Sequence, residues 1–193
     1  MNLLAIETST DACSVGLSVD GTLSLDHRIA SQQHGALVLP MIDALMATAG
    51  LVPTQLDGVV FGRGPGSFTG VRIGVAVTQG IALGADAGVV GMSTLQSVAQ
   101  GCHRIHGETH VAVSLDARMD EVYFAAFALD DAGLMQPVIE ERLVAPADVP
   151  ALPAEGSWCW AGSGAERYRE KVLSVSPEAV IHDDCWPMAQ DLL

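Results

Sequence analysis

The amino-acid sequence predicts an α/β protein made of two related lobes. The order strand, strand, strand, helix, strand, helix occurs twice along the 193 residues, with glycines between the halves at 101 and 107. Hydrophobic residues make up 49% of the chain, which is enough to bury a sizeable core. We therefore expect a first lobe over residues 1–104 and a second over 105–193, and we expect the second lobe to be truncated at its C-terminus.

Three strands open the first half. A short apolar run at 3–6 precedes a polar turn, and residues 13–19 alternate between apolar and polar side chains. The pair Asp20-Gly21 is a strong hairpin signal, and 22–29 is the third predicted strand. The first half then continues with a helix at 31–49, a strand at 58–61 and a glycine-rich loop at 62–67. A helix that ends near residue 83, a strand at 88–91 and a helix at 93–100 follow.

The second half repeats this order, although its residues match the first half only weakly. Its three predicted strands lie at 110–115, 121–129 and 138–144. A short helix at 147–152, a strand at 158–161, a glycine turn at 162–164 and a helix at 166–173 follow. Two such halves are typical of the actin-like, Hsp70-like and sugar-kinase-like architecture, called ASKHA. In that fold a turn of each half faces a nucleotide cleft, and those turns are predicted here at 8–11 and 116–120.

The charge balance disfavours direct binding to nucleic acid. The chain has 9 Lys and Arg against 23 Asp and Glu, a formal net charge of −14. Affinity for nucleic acid comes mostly from neutralising phosphates with clustered basic residues, and no Lys/Arg run is present. A basic protein partner fits this charge better.

Cysteine usage and the N-terminus indicate the cytoplasm. None of the four cysteines forms a C-x-x-C pair, and the opening residues lack the basic region of a signal peptide. We expect free thiols. The apolar stretch 73–90 contains Gln79 and Asp86, so we interpret it as a buried helix and expect no membrane contact.

The glycine-rich loop has two interpretations. Glycines 62, 64 and 66 allow the backbone to approach another group closely, and a loop before a helix N-terminus can bind an anion. The segment lacks the lysine of a P-loop and the acidic residue of a dinucleotide fingerprint. Anion binding and a purely structural turn both remain open. The residues that could contact a nucleotide are Thr8, Ser9, Arg63, Ser67 and Asp116.

The helix that follows carries small residues at four-residue spacing. One stripe comprises Gly66, Gly70, Gly74, Thr78 and Ala82, and a second comprises Ala76, Gly80, Gly84 and Gly88. Residues four apart share a helix face, and small side chains let another backbone come close. The close neighbour is either another part of this chain or a partner protein, and composition favours neither.

Metal chemistry is not predicted. His103, His106 and His110 are interrupted by Gly107, so we interpret them as a polar linker. The carboxylates Glu7, Asp11, Asp116 and Asp120 lie at the predicted cleft turns and could hold Mg²⁺ through water, but Asp is common in turns in any case. We expect no cofactor and no bound metal.

The sequence resembles the TsaB (YeaZ) family along its whole length. The most specific match is the segment 62–74, Gly-Arg-Gly-Pro-Gly-Ser-Phe-Thr-Gly-Val-Arg-Ile-Gly. Further matches are Ala5-Ile6-Glu7-Thr8-Ser9-Thr10, His34 with Leu39-Pro40-Met41-Ile42, Ser114-Leu115-Asp116-Ala117-Arg118, Glu121-Val122-Tyr123, and Ala161-Gly162-Ser163-Gly164-Ala165 with Tyr168.

This resemblance implies a non-catalytic paralogue of TsaD, the metal-dependent subunit that transfers threonylcarbamoyl to adenosine in tRNA. It implies pairing with a TsaD-like subunit and a TsaE-like ATPase, a homodimer when alone, and only indirect contact with tRNA. The family's older label is M22 glycoprotease. The implied contact surface lies on the two helices of the first lobe, at His34, Leu37, Met41, Leu45, Gly70, Arg72, Gly74, Val77, Thr78 and Ile81.

Two alternatives stay open beside this hypothesis. One is a nucleotide-dependent enzyme, kinase-like or glycoprotease-like, with its own active cleft. The catalytic paralogue holds its metal with a helical His-x-x-x-His pair in the first lobe. Here His106 and His110 have that spacing but lie in the predicted linker, which disfavours an enzyme. The other is a nucleotide site completed only at a subunit boundary, with Arg63, Ser67 and Arg72 on the phosphate.

Overall fold

Two compact units form the chain. The computed structural model describes residues 1–193, apart from the side chain of Val175. The first unit comprises Met1–Ser97 together with Pro187–Leu193, and the second comprises Val98–Trp186. The predicted boundary after residue 104 is therefore displaced, and the assignment of residues 187–193 to the second lobe is corrected. The physical reason is that Ala189 and Leu192 are buried in an apolar cluster of the first unit.

The first unit contains a five-stranded sheet in the order β3-β2-β1-β4-β5. Its strands are β1 (Asn2–Glu7), β2 (Ala12–Val19), β3 (Thr22–Ile29), β4 (Gly58–Gly62) and β5 (Gly88–Met92). The first three strands pair antiparallel as a meander. Strand β4 pairs parallel with β1, and β5 pairs parallel with β4. This arrangement places the ends of β1 and β4 side by side, where the candidate site lies.

Helices α1 (His34–Ala49) and α2 (Phe68–Ala85) contribute to one apolar cluster with the sheet. The buried strand residues Leu4, Ile6 and Val15 belong to it. Gly50 follows α1 in the left-handed conformation, which is common for the residue that ends a helix. Strand residues alternate between the two faces of a sheet, so Ala5 belongs to a separate cluster with Val60 and the C-terminal residues. A 3₁₀ turn at Ala189–Leu192 completes that cluster.

Among the described residues, α2 alone is long and apolar enough to cross a membrane by length and composition. The same helix packs a face of Gly70, Gly74, Thr78 and Ala82 into the first unit. Only 22% of this helix is buried, so the prediction of a buried helix is wrong for its outer face.

The second unit repeats the strand connections of the first. Its sheet has the order β10-β9-β6-β7-β8, in which the central strand is again the first of the unit. The strands are β6 (His110–Arg118), β7 (Glu121–Leu129), β8 (Met135–Val144), β9 (Cys159–Ala161) and β10 (Ile181–His182). Because antiparallel and parallel pairs also correspond, the duplication inferred from element order and the ASKHA fold class are both confirmed.

Three helical predictions needed correction. Helix α3 (Thr94–His106) continues six residues past the predicted end, because Gly107 rather than Gly101 ends it with a positive φ. The helix predicted at 147–152 is a single 3₁₀ turn, Pro146–Asp148. The helix predicted at 166–173 is divided into α4 (Ser163–Arg167) and α5 (Arg169–Val175) by Tyr168.

Candidate functional site

The candidate site of the first unit is built on Glu7, the last residue of β1. Its carboxylate is fully buried, accepts a hydrogen bond from the backbone N–H of Ser9 at 2.6 Å and accepts another from the Thr94 hydroxyl at 3.1 Å. Burial raises the pKa of Glu7, and these hydrogen bonds oppose the shift. This carboxylate therefore holds the end of β1, the following turn and the start of α3 together, and it has no open side on which to hold Mg²⁺.

The glycine loop after β4 lies directly against this turn. A Cβ added to Gly62 would lie 1.9 Å from Oε2 of Glu7, and one added to Gly66 would lie 2.2 Å from the carbonyl oxygen of Ser9. The backbone N–H of Ser67 donates to that same carbonyl at 2.7 Å. Only glycine permits such approaches, so the loop serves close packing. The structural-turn interpretation accounts for these glycines.

The hydroxyl groups predicted to meet a nucleotide are turned inward. Oγ1 of Thr8 donates to the carbonyl oxygen of Gly70 at 2.8 Å, and Ser9 is fully buried. Neither side chain can reach a bound phosphate without a rearrangement of the turn.

The residues at the start of α2 also make contacts within the chain. Ser67 caps the helix by accepting a hydrogen bond from the Gly70 N–H at 3.4 Å. The guanidinium of Arg72 lies 3.2 Å from the centroid of the Phe68 ring and donates to the Phe68 carbonyl oxygen. Arg63 is exposed and its backbone N–H donates to Met92. Thr8, Ser9 and Ser67 thus meet at one place, where they make structural contacts.

Asp116 belongs to the second unit, at the end of β6. Its carboxylate accepts hydrogen bonds from the guanidinium groups of Arg118 at 3.2 Å and Arg167 at 3.1 Å. The glycine turn after β9 repeats the close approach seen in the first unit, since a Cβ on Gly164 would lie 2.5 Å from Oγ of Ser114. The predicted nucleotide contact at Asp116 therefore lies in an ion-paired turn that corresponds to the turn after β1.

Five of the ten residues predicted to form the partner surface are buried. His34, Met41, Gly70, Gly74 and Thr78 are buried inside the first unit. A Cβ on Gly70 would lie 2.0 Å from the Thr8 carbonyl oxygen, so the close neighbour of this stripe is part of the same chain. These five residues cannot face a partner.

The other predicted interface residues keep some exposure. Leu37, Leu45, Val77 and Ile81 are half-buried at the edge of the first unit's core. Arg72 is exposed. A partner surface on α1 and α2 remains a prediction for these five, although four of them also pack inward.

The second small-residue stripe of α2 lies on the open side of the helix. Ala76, Gly80 and Gly84 are exposed, and a Cβ on Gly80 or Gly84 would meet nothing within 4 Å. Phe68 is 72% and Leu83 is 87% exposed. Sequence reasoning found this stripe, but only the structure distinguishes it from the buried one.

One further cavity lies away from these residues. It has a volume of about 700 Å³, belongs to the second unit and is lined by Trp158, Trp160, Pro150 and Pro177 among others. None of the predicted nucleotide residues lines it.

Known proteins resemble this chain over most of its length. The family model described as "TsaD: tRNA N6-adenosine threonylcarbamoyltransferase" matches residues 27–179. The tRNA threonylcarbamoyladenosine biosynthesis protein TsaB of Escherichia coli is 38% identical over 197 aligned residues, which cover 100% of this chain and 84% of that protein.

Two solved structures from Pseudomonas aeruginosa have the same fold. One, described as an uncharacterized protein with similarity to the peptidase YEAZ, superposes with a TM-score of 0.92 at 38% identity and covers 99% of this chain and 88% of the other. The second, described as YeaZ, has a TM-score of 0.91 at 36% identity and covers 100% and 89%. With these matches, this chain belongs to the TsaB (YeaZ) family of tRNA threonylcarbamoyladenosine biosynthesis proteins.

Proposed function

We propose that this protein is a non-catalytic subunit that supports threonylcarbamoyladenosine formation on tRNA in the cytoplasm. It binds and organises a TsaD-like catalytic subunit and a TsaE-like ATPase, forms a homodimer when alone, and contacts tRNA only through its partners. The single observation that carries the proposal is the open, small-residue face of α2.

This face has the composition of a helix-packing surface. Gly80 and Gly84 leave the backbone uncovered, and Phe68 and Leu83 offer large apolar side chains at its two ends. Small residues at four-residue spacing let a second helix approach closely. Exposed apolar patches on soluble proteins commonly mark protein interfaces. A helix of a partner, or of a second copy, is the expected occupant.

Charge supports indirect contact with tRNA. The formal net charge of −14 repels phosphate, whereas it attracts a partner that carries the basic groups needed to hold tRNA.

The inward-facing turn supports a non-catalytic role. The hydroxyls of Thr8 and Ser9 and the carboxylate of Glu7 are used for internal contacts. The sequence offers two histidines in the first 97 residues, His27 and His34, and the latter is bound to the Ala12 carbonyl oxygen. The paired helical histidines of the resembling transferase have no counterpart here.

The interface is tested with exposed substitutions that leave the core intact. We expect Leu83→Glu combined with Gly80→Arg to abolish co-elution with the TsaD-like subunit and to convert the homodimer to a monomer in light-scattering chromatography. Val138→Glu, an exposed site of similar character on β8, is the matched control and should bind normally. Unchanged association of the double variant would place the contact on another surface.

The activity is tested by reconstitution. We expect modification of tRNA by the TsaD-like and TsaE-like proteins to depend on this chain and to be lost with the double variant. The chain alone should show no ATP turnover with Mg²⁺ in calorimetry and phosphate-release assays. Turnover by the isolated protein would favour the enzyme alternative.

A further inference from the structure

Three of the four cysteines converge in the second unit, although no two are close in sequence. Cys102 lies on α3, Cys159 begins β9 and Cys185 follows β10. The sulfur atoms of Cys102 and Cys159 are 3.8 Å apart. All three side chains are buried.

Two histidines lie beside these thiols. The rings of His106 and His182 are stacked, with centroids 3.8 Å apart. Nε2 of His182 contacts a carboxylate oxygen of Glu108 at 2.8 Å, and Nε2 of His106 contacts Asp184 at the same distance.

The ligand atoms are close enough to share one ion. The two sulfur atoms of Cys102 and Cys159 and a ring nitrogen of His182 all lie within 4.8 Å of one another. His106, Asp184 and Cys185 form a second, neighbouring group with the same spacing. Thiolate and imidazole are the donors that zinc prefers in proteins.

The sulfur separation matches a tetrahedral metal. Two thiolates bound to zinc at about 2.3 Å, with a tetrahedral angle between them, are about 3.8 Å apart. A disulfide requires about 2.05 Å, so the pair is arranged as two separate ligands. Cysteine clusters in proteins of reducing compartments more often bind metal than form structural disulfides.

We propose that the second unit binds one zinc ion through Cys102, Cys159 and His182. Glu108 accepts a hydrogen bond from Nε2 of His182, which leaves Nδ1 for the metal. A carboxylate in this position orients a ligating histidine and increases its basicity. The site ties α3 to β9 and β10, and it is independent of the α2 surface.

The test uses the full chain purified without a histidine tag. We expect one equivalent of zinc by mass spectrometry after exposure to Zn²⁺ and removal of free metal. Metal-free protein given Co²⁺ should show the visible bands of a tetrahedral site and the near-ultraviolet thiolate-to-cobalt absorption.

Variants assign the ligands. We expect Cys159→Ser and His182→Asn to lose the bound equivalent, and Glu108→Gln to weaken zinc affinity by about 10–100-fold. Cys13→Ser, a buried cysteine of the first unit, is the control and should bind normally. Circular dichroism verifies the fold of each variant.

Two results would overturn the proposal. One is wild-type protein that takes up no Zn²⁺ and shows no cobalt–thiolate absorption. The other is binding that persists unchanged in folded Cys159→Ser and His182→Asn, which would place the metal elsewhere.

Discussion

The carbonyl oxygen of Thr8 lies 2.0 Å from the point where a Cβ on Gly70 would stand, and the Thr8 hydroxyl donates to the Gly70 carbonyl at 2.8 Å. The turn after β1 and the first turn of α2 are therefore in direct backbone contact. This contact explains why glycine is required at position 70 of this chain.

Gly70→Ala and Gly80→Ala should have opposite effects on stability. A methyl group at Gly70 meets backbone that cannot move aside, so we expect a loss of about 1–3 kcal/mol or more. At Gly80 nothing lies within 4 Å, and the better helix propensity of alanine should add about 0.8–1 kcal/mol. Urea unfolding of both variants measures this. Equal effects would contradict the inward packing of the first stripe.

Thr8→Val tests whether the hydroxyl is structural. The variant keeps the shape of the side chain but loses the hydrogen bond to Gly70, so we expect a loss of about 1 kcal/mol. Thr8→Ser retains the donor and should recover most of that stability. A normal melting temperature for Thr8→Val would show that the bond contributes little.

Glu7→Gln should stabilise the protein at neutral pH. Because burial raises the folded-state pKa of Glu7 above its ordinary 4.5, ionisation of this group opposes folding. The contribution of Glu7 to the stability of the wild-type protein is thus fully present below pH 4.5. It is lost as the pH rises through the folded-state pKa of Glu7.

The gain from Glu7→Gln should accordingly be largest near pH 8 and vanish near pH 4, at about 1.4 kcal/mol for each unit of pKa shift. Thermal unfolding across this range measures it. Glu140→Gln, at an exposed position, is the control and should show no such trend. A gain that does not change with pH would indicate a cause other than ionisation.

Leu192→Ala should destabilise the first unit strongly. Leu192 is 5% exposed and covers the second face of the sheet, whereas its neighbour Leu193 is 44% exposed. We expect a loss of about 2–5 kcal/mol for Leu192→Ala and within about 0.5 kcal/mol for Leu193→Ala. Chemical denaturation compares the pair. A small loss at Leu192 would mean that the C-terminal turn packs loosely.

The strands were largely predictable because their signals are local. Alternation and the Asp20-Gly21 turn gave β3 its bounds, and the same reasoning gave β7. The predicted end of α3 at residue 100, just before Gly101, is wrong, because the helix continues to His106. Burial of Val98, Ala99 and Cys102 on the helix offsets the cost of that glycine, and a one-residue signal does not show such packing.

The candidate site was predicted only in part. The sequence offered Thr8, Ser9 and Ser67 as possible nucleotide contacts, and in the structure they lie near one another where β1 and β4 end. It could not show which way their hydroxyls turn, because that depends on the neighbouring backbone. The convergence of Cys102, Cys159 and Cys185 was equally hidden, since it depends on three elements far apart in the chain.

The return of Pro187–Leu193 to the first unit has a consequence for protein synthesis. The ribosome synthesises the chain from the N-terminus. The sheet formed by residues 2–92 is therefore complete long before the turn Ala189–Leu192, which covers Ala5 and Val60. Throughout translation of the whole second unit, that apolar face remains uncovered by residues 187–193. A nascent chain stalled before residue 187 should therefore be a better chaperone substrate than the released protein.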